Sequence, residues 1–190
     1  MFRVTCIFVC LSVSNLRADD SISPPDRQRV LELLKDTENL RVRRDLVSMG
    51  AKILPVLWEE CNDSEASAKK RTYIFAIVSN IPGDRERFVQ LAAKDLPKKG
   101  QRLEIMVALN LIRSTNSKNY ASDVGSLLKS PNDLLAVSVS ETLAIIGSEK
   151  ELILLDEWLK KDLRVESDPV RMGVRDGRDM LKERLQKDKR

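Results

Sequence analysis

DLLAVSVSETLAIIGSEKELILLDEWLK, residues 133–160, decides the architecture. Leu135, Val139, Leu143 and Ile146 recur at steps of three or four residues, the period of an α-helix that buries one face. Gly147 interrupts the run where a helix would end. A second stripe follows at once in Leu152, Leu155 and Leu159, with Glu149, Asp156 and Lys160 at solvated positions. Ahead of the first helix, Pro131-Asn132-Asp133 is a start signal, since proline is pre-set for a first turn and an acidic side chain favours the positive helix end. The stretch is a helical hairpin.

The same grammar recurs on both sides. Gly50, Pro82-Gly83, Asn116-Ser117 and Gly147 each separate two amphipathic runs, at intervals of 33, 33 and 31 residues. A period of this size marks a stack of supersecondary units, none able to bury its apolar face alone. The pattern predicts helices over 25–35, 39–49, 51–61, 65–80, 84–94, 98–113, 118–129, 132–146, 149–161 and 168–187. Two first helices, TYIFAIVSNI at 72–81 and LEIMVALNLI at 103–112, are apolar nearly all round. Buried strands of a βαβ unit are the competing reading. Each run continues a longer helical segment without a turn signal, and a helix held between neighbours is apolar on most sides.

Residues 133–160 resemble a HEAT-like repeat of the type named after phycobilin lyases. In that pattern an acidic helix start leads through a Val-Arg pair and small residues to a Leu, an Ile and a terminal Gly. Leu135 takes the Val position, Leu143 and Ile146 the later apolar ones, and Gly147 closes the helix. Ala136 stands where the family often has Arg. SDPVRMGVRDGRDML at 167–181 restores that link in Asp168-Pro169-Val170-Arg171 and resembles a further repeat reduced to a capping helix. RRDLVSMGAKILPVLWEEC at 43–61 matches more loosely. The resemblance implies an all-α, armadillo-like fold. It would be a short right-handed α-α superhelix, a solenoid of about four hairpins plus a cap. It implies little about function, because the shared residues are packing residues.

The N-terminus has the layout of an export signal. Residues 1–18, MFRVTCIFVCLSVSNLRA, carry Arg3, an apolar run from Val4 to Val13, and Ala18 as the small residue before cleavage, with Ser14 as the alternative. The run is short for a bilayer span; a buried N-terminal helix or a retained anchor is the alternative. Residues 19–24 read as a linker and 25–190 as the repeat domain. Cleavage would remove Arg3 and Arg17, leaving 31 of the 33 basic residues against 29 acidic ones, and would leave Cys61 as the single thiol of three. The expected location is periplasmic or secreted, without a stable membrane span.

The chain has no histidine, the commonest general base and zinc ligand. No phosphate-binding glycine loop, paired-Cys motif or paired-carboxylate motif stands out. The expectation is a non-catalytic module that scaffolds a protein partner, with no metal or cofactor. Its candidate binding residues are Trp58 and Trp158, late on second helices, and Arg43, Arg44, Lys69 and Lys70, from basic clusters that recur at unit spacing. The clusters, Arg41-Arg43-Arg44, Lys69-Lys70-Arg71 and Lys98-Lys99-Arg102, raise the alternative of a nucleic acid or acidic glycan binder. Neighbouring acids such as Glu59, Glu60 and Glu65 favour a solvated charged face instead. In HEAT-like stacks first helices usually form the convex side and second helices the concave one. Asp168 and Arg171 read as a helix cap and stacking pair, Cys61 as a small buried hydrophobe, and Gly173 and Gly177 as sites of close helix approach. Asn62-Asp63-Ser64 is a formal glycosylation sequon.

Overall fold

The computed structural model describes residues 22–36, 39–96, 102–129 and 133–190. The signal-like segment 1–18, Lys98-Lys99 and the Pro131-Asn132 start signal lie outside these residues. The described chain is all-helical, with ten α-helices and no strand: α1 Pro24–Leu33, α2 Leu40–Ser48, α3 Leu54–Asn62, α4 Ala68–Val78, α5 Glu86–Asp95, α6 Arg102–Ser114, α7 Ala121–Ser126, α8 Asp133–Ile146, α9 Glu149–Lys161 and α10 Pro169–Lys187. The two apolar runs form α4 and α6, so the βαβ alternative falls.

Local chemistry sets the boundaries. Ser23, Asn39, Ser67, Ser148 and Asp168 are N-caps whose side chains accept backbone N–H bonds of the first turn. Ser148 and Glu151 complete a capping box, with Glu151 Oε2 accepting from Ser148 N at 2.9 Å. The stretch expected as a helix over 51–61 begins as a 3₁₀ turn, Gly50–Ile53, and turns α-helical only at Leu54–Asn62, where Pro55 occupies a first-turn position. Similarly 118–129 resolves into short α7 flanked by 3₁₀ turns at Lys118–Tyr120 and Leu127–Lys129.

Three of the four breaks require the left-handed region. Gly50, Gly83 and Asn116 have φ of 70°, 130° and 52°, which glycine adopts freely and asparagine tolerates. Gly147 is different from its expected role. Its φ is not positive, but a Cβ there would lie 2.6 Å from the Leu143 carbonyl oxygen and 3.1 Å from Leu181. Space, not backbone conformation, demands glycine.

The even-numbered helices pack in succession, α2 on α4, α4 on α6, α6 on α8 and α8 on α10. Of the odd ones, α3, α5, α7 and α9 each pack on the even helix that follows, α1 also meets α3, and α7 meets α9. One continuous apolar core runs from Val30 to Leu181. Leu135, Val139, Leu143 and Ile146, the stripe that identified α8, are all buried in it, and so is Leu155 of α9. The α8–α10 seam is drawn tight at Gly173, against Val137, and at Gly177, against Ser140.

Candidate binding surface

Many of the cations that looked available in sequence are committed to the scaffold. Arg71 Nε and Nη2 donate to the carbonyls of Cys61 and Asp63, at 3.1 and 3.0 Å, closing the end of α3. Arg171 does the same for α9, donating to the carbonyls of Leu159 and Asp162 at 2.9 and 2.7 Å while pairing with Glu166 at 2.8 Å. Arg85 reaches the carbonyls of Ser79 and Ser114, at the ends of α4 and α6. Arg184 donates to those of Ala144 and Gly147, at the end of α8. A guanidinium at a helix C-terminus satisfies orphan carbonyls and complements the negative end of the helix dipole. Asp168, at the same junction, caps α10 by accepting from Val170 N and Arg171 N.

Of the expected binding cations, Lys70 pairs with Glu60 at 2.6 Å, and Lys69 is exposed on the first turn of α4. Arg43 lies over the Tyr73 ring, 4.6 Å from its centroid, a cation–π contact. Arg44 is exposed, and its side chain makes no hydrogen bond or ion pair among the described residues.

The tryptophans are not brought together. Trp58 on α3 is half-buried, edge-on to Phe88 of α5 with centroids 5.4 Å apart. It lines a cleft of about 390 Å³ between these helices, rimmed by Lys52, Asp84 and Arg87. Trp158 on α9 is half-buried beneath the Arg164 guanidinium, 5.7 Å from the ring centroid. Both rings pack against the core and serve as amphipathic lids of their own units. Cys61 is buried, and Asn62 of the sequon is exposed at the end of α3.

A second concavity lies on the row of first helices. A groove of about 510 Å³ crosses α2, α4 and α6, lined by Leu40, Arg43, Arg44, Val47 and Ser48, by Ala76, Ile77, Ser79 and Asn80, and by Val107 and Asn110. Its polar end is a hydrogen-bonded chain: Arg113 Nη2 donates to Asn110 Oδ1 at 3.1 Å, and Asn110 Nδ2 to Ser79 Oγ at 3.2 Å. Asn80 Nδ2 donates to the Ala76 carbonyl at 2.8 Å. Leu40 and Leu103 stand exposed, at 65% and 60%. The sequence carried a signal for this wall in Leu40, Arg44, Val47 and Ser48, one face of α2 at helical spacing. It could not show that Ala76 leaves room opposite.

Titration is perturbed at structural contacts. The Lys52 ammonium and the Ser23 hydroxyl hold Asp26 below the usual carboxylate range, and hydrogen bonds from Arg171 do so for Glu166. Partial burial and then the nearby Glu86 carboxylate push the Tyr120 phenol up. Among the described residues no cluster of three potential metal ligands occurs, and no helix is long and apolar enough to cross a membrane. The chain matches no family model, no curated protein and no solved structure.

Proposed function

We propose that this chain is a non-catalytic binding module, a short HEAT-like solenoid that holds a protein partner outside the cytoplasm. One observation carries the reading: successive helices of one row jointly build an open groove with an apolar floor, and no nucleophile–base pair lines it. Such a surface suits another polypeptide better than a reaction centre, which needs convergent titratable groups. The row-on-row succession of helix pairs supports the solenoid, and the layout of residues 1–18 supports export.

The polyanion alternative has less support, because Arg71 holds backbone carbonyls and Lys70 holds Glu60. The test is crosslinking of the full chain in the exported fraction of its own cells, with the crosslinked residues mapped. A recurrent partner crosslinked to one face is expected; recovery of the chain alone defeats the reading. N-terminal sequencing of the recovered chain checks export, with Asp19 or Asn15 as the expected first residue and Met1 as the refuting one.

A further inference from the structure

The groove across α2, α4 and α6 has a sign as well as a shape. Two guanidinium groups, from Arg43 and Arg44, line it, and no carboxylate does. Asp45 follows Arg44 in sequence but falls on another face of α2 and is not among the lining residues. On the α6 side Glu141 is neutralised by Arg113 at 2.8 Å, and the same arginine fixes the Asn110 amide. Arg43 is already seated on Tyr73, so the cation left for a partner is Arg44, on the α2 wall beside Leu40 and Val47. The floor is the small Ala76 and the buried Ile77, and Val107 faces them from α6. At the far end Asn80 Oδ1 accepts no hydrogen bond among the described residues and stands exposed, an acceptor suited to a partner's backbone N–H.

Three neighbouring helices at about 8–10 Å spacing put roughly 16–20 Å between the outer walls, enough for about five or six extended residues or about three turns of helix. A half-buried apolar floor, Ala76 and Val107 with Ile77 buried beneath them, and a one-signed cationic wall select for apolar side chains flanked by carboxylates. It disfavours basic segments through like-charge contact with Arg43 and Arg44.

We propose that this groove is the docking site for a short acidic amphipathic segment of a protein partner, whose apolar side chains occupy the Ala76–Ile77–Val107 floor and whose carboxylate pairs with Arg44. This deepens the binding-module reading and rests on it.

The test is selection of random peptides of roughly twelve residues on the immobilised full chain, followed by anisotropy titration of the enriched peptides. The variants are Ala76→Trp, which fills the floor, Arg44→Glu, an exposed change that leaves the core untouched, and Arg87→Glu in the separate Trp58 cleft. Enriched peptides should carry Asp or Glu beside apolar residues. Their affinity should fall on the order of tenfold with Arg44→Glu, fall further with Ala76→Trp, and stay unchanged with Arg87→Glu. Basic or uncharged winners, or binding indifferent to Arg44→Glu, overturn the proposal. Binding lost with Arg87→Glu but retained by both groove variants leaves the module reading standing and moves its site to the Trp58 cleft. No enrichment over an unrelated chain defeats both.

Discussion

Gly177→Ala is expected to destabilise the protein although alanine is the better helix former. In the interior of a helix the exchange by itself favours the folded state by about 1 kcal/mol. Against this, a Cβ at position 177 would lie 2.7 Å from Ser140 Oγ and 2.8 Å from both Ser140 C and Cβ. Ordinary carbon contacts sit at about 3.5–4.0 Å, so α8 and α10 must separate by roughly 0.7 Å or more. One of the obstructing atoms is backbone, which no rotamer change can move. Separation also breaks the bond from Ser140 Oγ to the Gly173 carbonyl, 3.3 Å long, and loosens Val139, Val174 and Leu181, all fully buried along this part of the core.

Overpacking costs about 1–3 kcal/mol, taken here as about 2 kcal/mol, and the lost hydrogen bond about another 1 kcal/mol. After the propensity gain, the net loss is about 2 kcal/mol. For a domain of this size that lowers Tm by about 4–8 °C. The three atoms nearest a Cβ at Gly173 all belong to the Val137 side chain, with Cγ1 at 2.9 Å and Cγ2 at 3.1 Å, and a side chain gives way more easily than backbone. The loss with Gly173→Ala should be smaller. Thermal and urea unfolding followed by far-ultraviolet circular dichroism measure both. A Gly177→Ala protein as stable as the parent, or more so, would refute the reasoning.

Other outcomes follow from single contacts. Leu155→Ala empties a fully buried position of α9 and should cost about 2–5 kcal/mol in urea unfolding. Ser148→Ala removes half of the α9 capping box and leaves Glu151, itself buried, short of a partner; a loss of about 1–2 kcal/mol is expected by the same assay. Arg171→Lys cannot span the carbonyls of Leu159 and Asp162 together with Glu166, so the urea midpoint should fall while Arg175→Lys, at a half-buried position that holds Glu166 alone, changes it less. Glu166 is held below its ordinary value by Arg171, so its contribution is complete above the ordinary carboxylate pKa and fades as pH falls through the lowered one. Glu166→Gln should therefore lower stability at pH 7 and converge with the parent in acid; a constant gap between the two across that range would exclude the coupling.

The helices, their order and the cap of α10 were legible in the sequence because each rests on neighbours a few residues apart. The α8 stripe, the αL residues Gly50, Gly83 and Asn116, and the cap Asp168 depend on local backbone chemistry that the residue types state directly. Gly173 and Gly177, four apart on one helix, were also readable as a site of close approach, since only a neighbouring element rewards two missing side chains. Long-range pairing decided the rest. Arg85 and Arg184 gave no sign that they close helices 29 and 37–40 residues away. Gly147 looked like a conformational stop and proved to be one of crowding by Leu143 and Leu181. The basic clusters were visible as charge, but which cation holds a carbonyl, a carboxylate or an aromatic ring depends on what the packed rows place within reach. The groove over α4 exists only because three segments about 30 residues apart are laid side by side with a small residue, Ala76, in the middle. Periodicity fixes which face a helix buries; only packing fixes what stands opposite it.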